Sequence, residues 1–132
     1  MECIFCKIAK KEIEATIVFE NDELLAFLDN DPINEGHILI IPKQHFLDID
    51  EIPKKLACDI MELSQKIVKT IKTIYSPDGY SIMQNGGEFN DIGHFHFHIF
   101  PRYKNDGFDW ICAEKQPRHN KEIADKIRLY IK

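Results

Sequence analysis

A chain of 132 residues with 17 basic against 22 acidic side chains carries a net charge of −5, with 44% hydrophobic and 30% charged residues. This fits one soluble domain large enough to bury its own core, and the acidic balance excludes a general nucleic-acid binder, which would need Lys and Arg to neutralise phosphates. No apolar run reaches the roughly 18 residues that span a bilayer and no basic-then-apolar leader opens the chain, so no membrane partner is expected and the cytoplasm is the expected compartment.

Ile4, Phe5, Ile8 and Ala9 fall between charged positions, a one-sided pattern that predicts one or two helical turns over residues 3–10. Cys3 and Cys6 lie one turn apart within it. In a leaderless chain, four cysteines point to free thiols or a metal rather than to disulfides. The two-residue spacing is that of half a zinc site or of a redox pair, but a redox pair would follow a strand, and only Met1 and Glu2 precede Cys3. Thr16 to Glu20 and Leu24 to Asp29 flank the turn formers Asn21-Asp22-Glu23, which predicts a β-hairpin. Asp29 to Gly36 is then a loop. His37 to Ile41, closed by Pro42, reads as a central strand buried on both faces.

Asp48 to Glu51 offer capping side chains, and Pro53 fits the first turn of a helix. Leu56, Ile60, Leu63, Ile67, Ile71 and Ile74 recur at steps of three and four, the signature of a long amphipathic helix that ends before Pro77-Asp78-Gly79. It is expected to cover the apolar face of a sheet, with Cys58 and Met61 as core filler. Tyr80 to Gln84 alternates as a short strand. The following Gly86-Gly87 pair suits either a plain hairpin loop or main-chain amides approaching an anion.

Gly93 to Arg102 alternates polar and apolar without a break, the two-residue period of a half-buried strand. His94, His96 and His98 therefore share one face, spaced about 6.6 Å apart, while Phe95, Phe97 and Ile99 share the other, and Pro101 ends the run. A solvated face would accept Thr, Lys or Glu equally well. Repetition of the one side chain that titrates near neutrality points instead to acid-base, nucleophilic or metal-ligand chemistry. The outer pair is about 13 Å apart at strand spacing, so one ion is not expected to take all three. Tyr103 to Gln116 is irregular and holds the only Trp, Trp110; His119 to Ile131, with Ile123, Ile127 and Tyr130 at helical spacing, predicts a terminal helix with His119 at its surface.

The run His94-Phe95-His96-Phe97-His98-Ile99-Phe100 resembles the signature of the histidine triad family of nucleotide hydrolases and transferases, in its zinc-containing bacterial-type branch. Cys3-Ile4-Phe5-Cys6-Lys7-Ile8, Leu25-Ala26-Phe27-Leu28-Asp29 and Gly36 to His45 follow the family's order and spacing, so the resemblance spans residues 3 to about 110. It implies an α+β domain, residues 1–132, with a five-stranded antiparallel sheet, one long helix packed across it and a C-terminal helix, pairing into homodimers. It implies release of a nucleoside monophosphate from a phosphoramidate or a dinucleoside polyphosphate through a covalent nucleotidyl-histidine. His96 would be the nucleophile, His98 a donor to the phosphate oxygens, and His37 an orienting neighbour. Cys3, Cys6, His45 and His94 would hold a structural Zn²⁺, with no catalytic metal. Ile4, Phe5, Ile8, Phe27 and Leu39 would surround a purine base, Asp29 would take the ribose hydroxyls, and Asn85 and Asn90 would reach the nucleotide from the loops.

One departure stands out. Relatives carry Gly-Gln some four residues before the first triad histidine, whereas this chain has Phe89-Asn90-Asp91 in a loop one residue shorter. Asn90 offers a similar amide there, and Asp91 brings a charge that would repel phosphate unless turned away or used as a helper base. Two alternatives compete with the hydrolase: a non-catalytic nucleotide-binding module, and a metal-dependent enzyme with His96 and His98 as ligands.

Overall fold

Five short strands make one sheet in the order β1-β2-β3-β5-β4: β1 Ile17–Glu20, β2 Leu24–Leu28, β3 Ile38–Pro42, β4 Gly79–Met83 and β5 Phe97–Arg102. Every neighbouring pair is antiparallel. The computed structural model describes residues 2–114 and 120–131. Its helices are α1 Ile4–Ala9, α2 Lys54–Tyr75 and α3 Lys121–Tyr130, with short 3₁₀ turns at Ile49–Glu51 and Gly87–Phe89. No helix among the described residues is long and apolar enough to cross a membrane.

The two faces of the sheet bury separate clusters. Leu24, Ala26, Ile38, Ile40, Phe95 and Ile99 pack beneath Leu56, Ile60, Leu63, Ile67 and Ile71 of α2. On the opposite face Leu25, Phe27, Leu39 and Ile41 pack with Phe5 and Ile8 of α1. β3 therefore has a core on both sides and is buried at all five positions, as its apolar run predicts. Each fully buried aliphatic side chain contributes about 1.5–3 kcal/mol, so both faces are strongly held in register.

Several expectations are corrected. Ile74 is 65% exposed, because the last turn of α2 runs past the sheet. Met61 and Cys58 are exposed rather than core filler: one or two residues off the buried stripe is 100–200° of rotation at 3.6 residues per turn. Pro53 stands one residue before α2, at its N-cap. The histidine strand begins at Phe97, because the Phe95 amide donates to Phe46 O at 2.7 Å and the preceding segment pairs with the loop after β3.

β5 also continues through Pro101 to Arg102. Pro101 O accepts from Asn34, so the residue turns its backbone away from β4 to a side where β3 no longer runs, and the missing N–H breaks no ladder bond. The terminal helix forms as α3, capped by the Asn120 side chain, with Ile123 and Ile127 facing outward. His119 lies outside the described residues.

Candidate active site

Alternation along β5 places the histidines on the α1 face. In register, Leu39 lies opposite His98 while Ile38 lies opposite Ile99, so one face takes chemistry and the other takes core. The rings lean together more than bare strand spacing suggests, with His96 and His98 centroids 4.9 Å apart.

The first cluster ties α1 to the sheet. His94 is completely buried; its Nε2 lies 2.8 Å from Pro42 O, and a carbonyl can only accept, so that nitrogen carries the proton. Nδ1 is then a bare lone pair, 3.3 Å from Cys3 Sγ and 3.6 Å from Cys6 Sγ. His45 Nδ1 is 3.3 Å from Cys6 Sγ. All four ligand atoms lie within 4.8 Å of one another, and tetrahedral Zn²⁺ needs donor separations of about 3.3–3.8 Å, so this set fits the ion. Burial lowers the His94 pKa, which keeps it neutral as a ligand must be, while burial first and the neighbouring Cys3 second push the Cys6 thiol up. Two thiols and two imidazoles would complete a tetrahedral ion and leave it no open position for a substrate.

His96 stands next. Its Nδ1 donates to His94 O at 2.7 Å, so in the neutral ring Nε2 keeps the lone pair, and the ring is only 3% exposed. Phe5 packs edge-on against it at 5.2 Å and against Phe27 at 5.5 Å.

The second cluster is Asp29, His37 and His98. The Ile33 amide donates to His37 Nδ1 at 3.0 Å, and His37 Nε2 is 2.9 Å from His98 Nδ1 and 3.4 Å from Asp29 Oδ2. Burial lowers the pKa of His37 against the pull of Asp29 and Asp31. Burial, then the neighbouring His96 and His37, takes His98 down to about 4, so it is neutral near pH 7. The composition looks ready for a metal, yet the donor chemistry does not fit one: with Nδ1 accepting from Ile33, the neutral His37 ring carries its hydrogen on Nε2 and has no lone pair to offer there.

Gly36 is what lets His37 enter this position. Its φ is +89°, and an added Cβ would meet the Tyr75 ring at 2.6 Å. Only glycine satisfies both conditions.

The remaining expected residues do not all share one place. Phe5 is buried against His96 and Phe27 against Phe5, in one apolar cluster with Ile8 and Leu39. Ile4 is 52% exposed on the open side of α1. Asp29 sits just past β2, with Oδ1 taken by the Asp31 amide and Oδ2 facing the histidines. Asn85 lines a cavity of about 1030 Å³ beside β4 with Met83, Phe89, Arg102 and Trp110, which the histidines do not line.

Asn90, expected to offer its amide to a phosphate, makes bonds within its own surroundings. Its nitrogen donates to Leu47 O, and its oxygen accepts from the Ile92 and Gly93 amides, so the side chain pins its own loop. One amide of the glycine pair is likewise committed. Gly87 alone has a positive φ, and its amide donates to Asp48. Asp91 is exposed, and its charge raises the His98 pKa slightly against burial.

Sequence reasoning missed the main-chain groups of Pro42, Ile33 and His94 that assign the protons, since carbonyls and amides leave no residue signature. It also missed Asn34, whose amide donates to Pro101 O at 2.8 Å and to Asp106 Oδ2 at 3.1 Å.

The model of the HIT domain family matches residues 10–105. The chain is 35% identical over 137 aligned positions to the adenosine 5'-monophosphoramidase of Schizosaccharomyces pombe, covering 100% of both proteins. Among solved structures, a HIT family protein from Bacillus anthracis is 37% identical with a TM-score of 0.88, over 99% of this chain and 98% of that one. A zinc-bound histidine triad family protein from Mycobacterium smegmatis is 29% identical with a TM-score of 0.76, over 87% and 85%.

Proposed function

Because the chain belongs to the HIT domain family, we propose that it is a nucleotide hydrolase that frees a nucleoside monophosphate from a phosphoramidate, with dinucleoside polyphosphates as the second substrate class. One observation carries this reading: the bare Nε2 of His96 stands beside a neutral donor at His98, the pairing that nucleophilic attack on phosphorus requires. The name of the fission-yeast relative supports the amine leaving group.

In this reading His96 Nε2 forms a bond to the α-phosphorus as the bond from phosphorus to the leaving nitrogen breaks. The amine departs with that electron pair and takes one proton from solvent. Water then attacks phosphorus, the bond to His96 breaks, and a proton returns to solvent. His98 Nε2–H donates to a phosphoryl oxygen as charge develops, and His94 O balances the positive ring of the intermediate. Ile4, Phe5 and Phe27 hold a purine base over the floor of Ile8 and Leu39, while Asp29 Oδ2 accepts a ribose hydroxyl. No catalytic metal is invoked, because His37 offers a hydrogen where an ion would need a lone pair.

Cys3, Cys6, His45 and His94 would hold a structural Zn²⁺, which ties the N-terminal turn to the sheet. The edge strand β4, with Tyr80 and Ile82 nearly half exposed beside Met61, supports homodimer pairing through that edge. Free Cys58 and Cys112 suit the reducing cytoplasm.

The test is incubation with an adenosine phosphoramidate followed by intact-mass analysis. A transient nucleotidyl adduct with AMP release, both lost in His96→Ala, is expected. Tight binding with neither adduct nor AMP would instead establish a binding module.

A further inference from the structure

The loop between β2 and β3 does more than connect them. A backbone amide can only donate, so the Ile33 N–H fixes His37 Nδ1 as an acceptor and places the hydrogen of neutral His37 on Nε2. That hydrogen points to His98 Nδ1, which must then accept, leaving the His98 hydrogen on the outward Nε2. Two tautomers thus follow from one main-chain group. The loop is in turn fastened to β5: Asn34 Nδ2 donates to Pro101 O and to Asp106, and Arg102 grips the same carboxylate through Nε at 2.7 Å. The His37 amide closes the turn on Asn34 O at 3.2 Å.

We propose that Asn34 is a positioning residue for the reaction, holding the Ile33 amide at His37 so that both His37 and His98 present Nε2–H rather than Nδ1–H. His98 is the group that meets substrate; Asn34 acts only through it. The proposal rests on the reading of His98 as the phosphate donor, but its first measurement does not need turnover.

Long-range ¹H–¹⁵N spectra of the labelled full chain near pH 7 report which nitrogen of each histidine is protonated. In the unaltered protein, His37 and His98 are expected with protonated Nε2 and bare Nδ1. Asn34→Ala should move both toward mixed tautomers and lower kcat for an adenosine phosphoramidate about tenfold with KM within about twofold, because the donor is misaimed rather than lost. Ile33→Pro, which deletes the N–H itself, should do the same, and Ile33→Val should do neither. A protonated Nδ1 on His37 in the unaltered protein, or unchanged tautomers in Asn34→Ala, would overturn the proposal. Correct tautomers in a protein without turnover would sink the hydrolase reading alone and leave the tautomer assignment intact.

Discussion

Two histidine clusters flank His96, and they differ in which backbone group touches them. At the Cys3, Cys6, His45 and His94 cluster a carbonyl, Pro42 O, accepts from His94 Nε2–H and so bares Nδ1. At the Asp29, His37 and His98 cluster an amide, Ile33 N–H, occupies the lone pair and forces the hydrogen outward. Similar side chains are left with a lone pair to offer an ion in one place and with a hydrogen to donate in the other. Residue type sets what a site can do, and the main-chain partner selects which of those it does.

The contrast can be broken most sharply at the residue between the clusters. His96→Ala should lower kcat by at least about 10³-fold, measured as AMP release, since it removes the nucleophile while leaving both neighbours in place. Next, His98→Ala should lower kcat by about 10²–10³-fold in the same assay, the effect of deleting one preorganised donor to developing charge. The nucleotidyl adduct should still form slowly in that variant.

Cys6→Ser separates the clusters by outcome. Metal analysis should show loss of stoichiometric zinc, and denaturant unfolding should show a loss of more than about 2 kcal/mol, with kcat of the folded fraction within a few-fold of normal. Immediate loss of turnover on chelation would instead put the ion in the reaction.

The smallest effect concerns pH. The folded pKa of His98 is about 4 and that of His37 is also depressed, against about 6.5 for an unfolded histidine. As pH falls from about 6.5 to about 4, the unfolded chain binds protons that the folded chain refuses, so stability should fall with pH across that window and recover above it. His98→Gln should flatten the slope.

Much of this was legible because period and spacing encode faces. The alternation at His94 to Ile99 foretold a histidine face and a core face, and the step of three and four in α2 foretold the helix that covers the latter. Cys3 and Cys6, one helical turn apart, already read as half of a four-ligand set. What stayed illegible was set by tertiary context. Asn90 reads as a free amide until its loop folds around it, and Met61 reads as core until the rotation of α2 is fixed. Gly36 gives no hint of Tyr75, which is 39 positions away by the numbering.

The one-by-one alternation along β5 also guards assembly. Sliding that strand a single position against β3 would carry imidazoles under α2 and phenyl rings into the cleft. Such a misthreaded chain loses its interior, its Cys/His cluster and its row of histidines together. A slip of one position therefore exposes the core at the same moment that it dismantles the site, so no well-packed chain carries a misplaced histidine row.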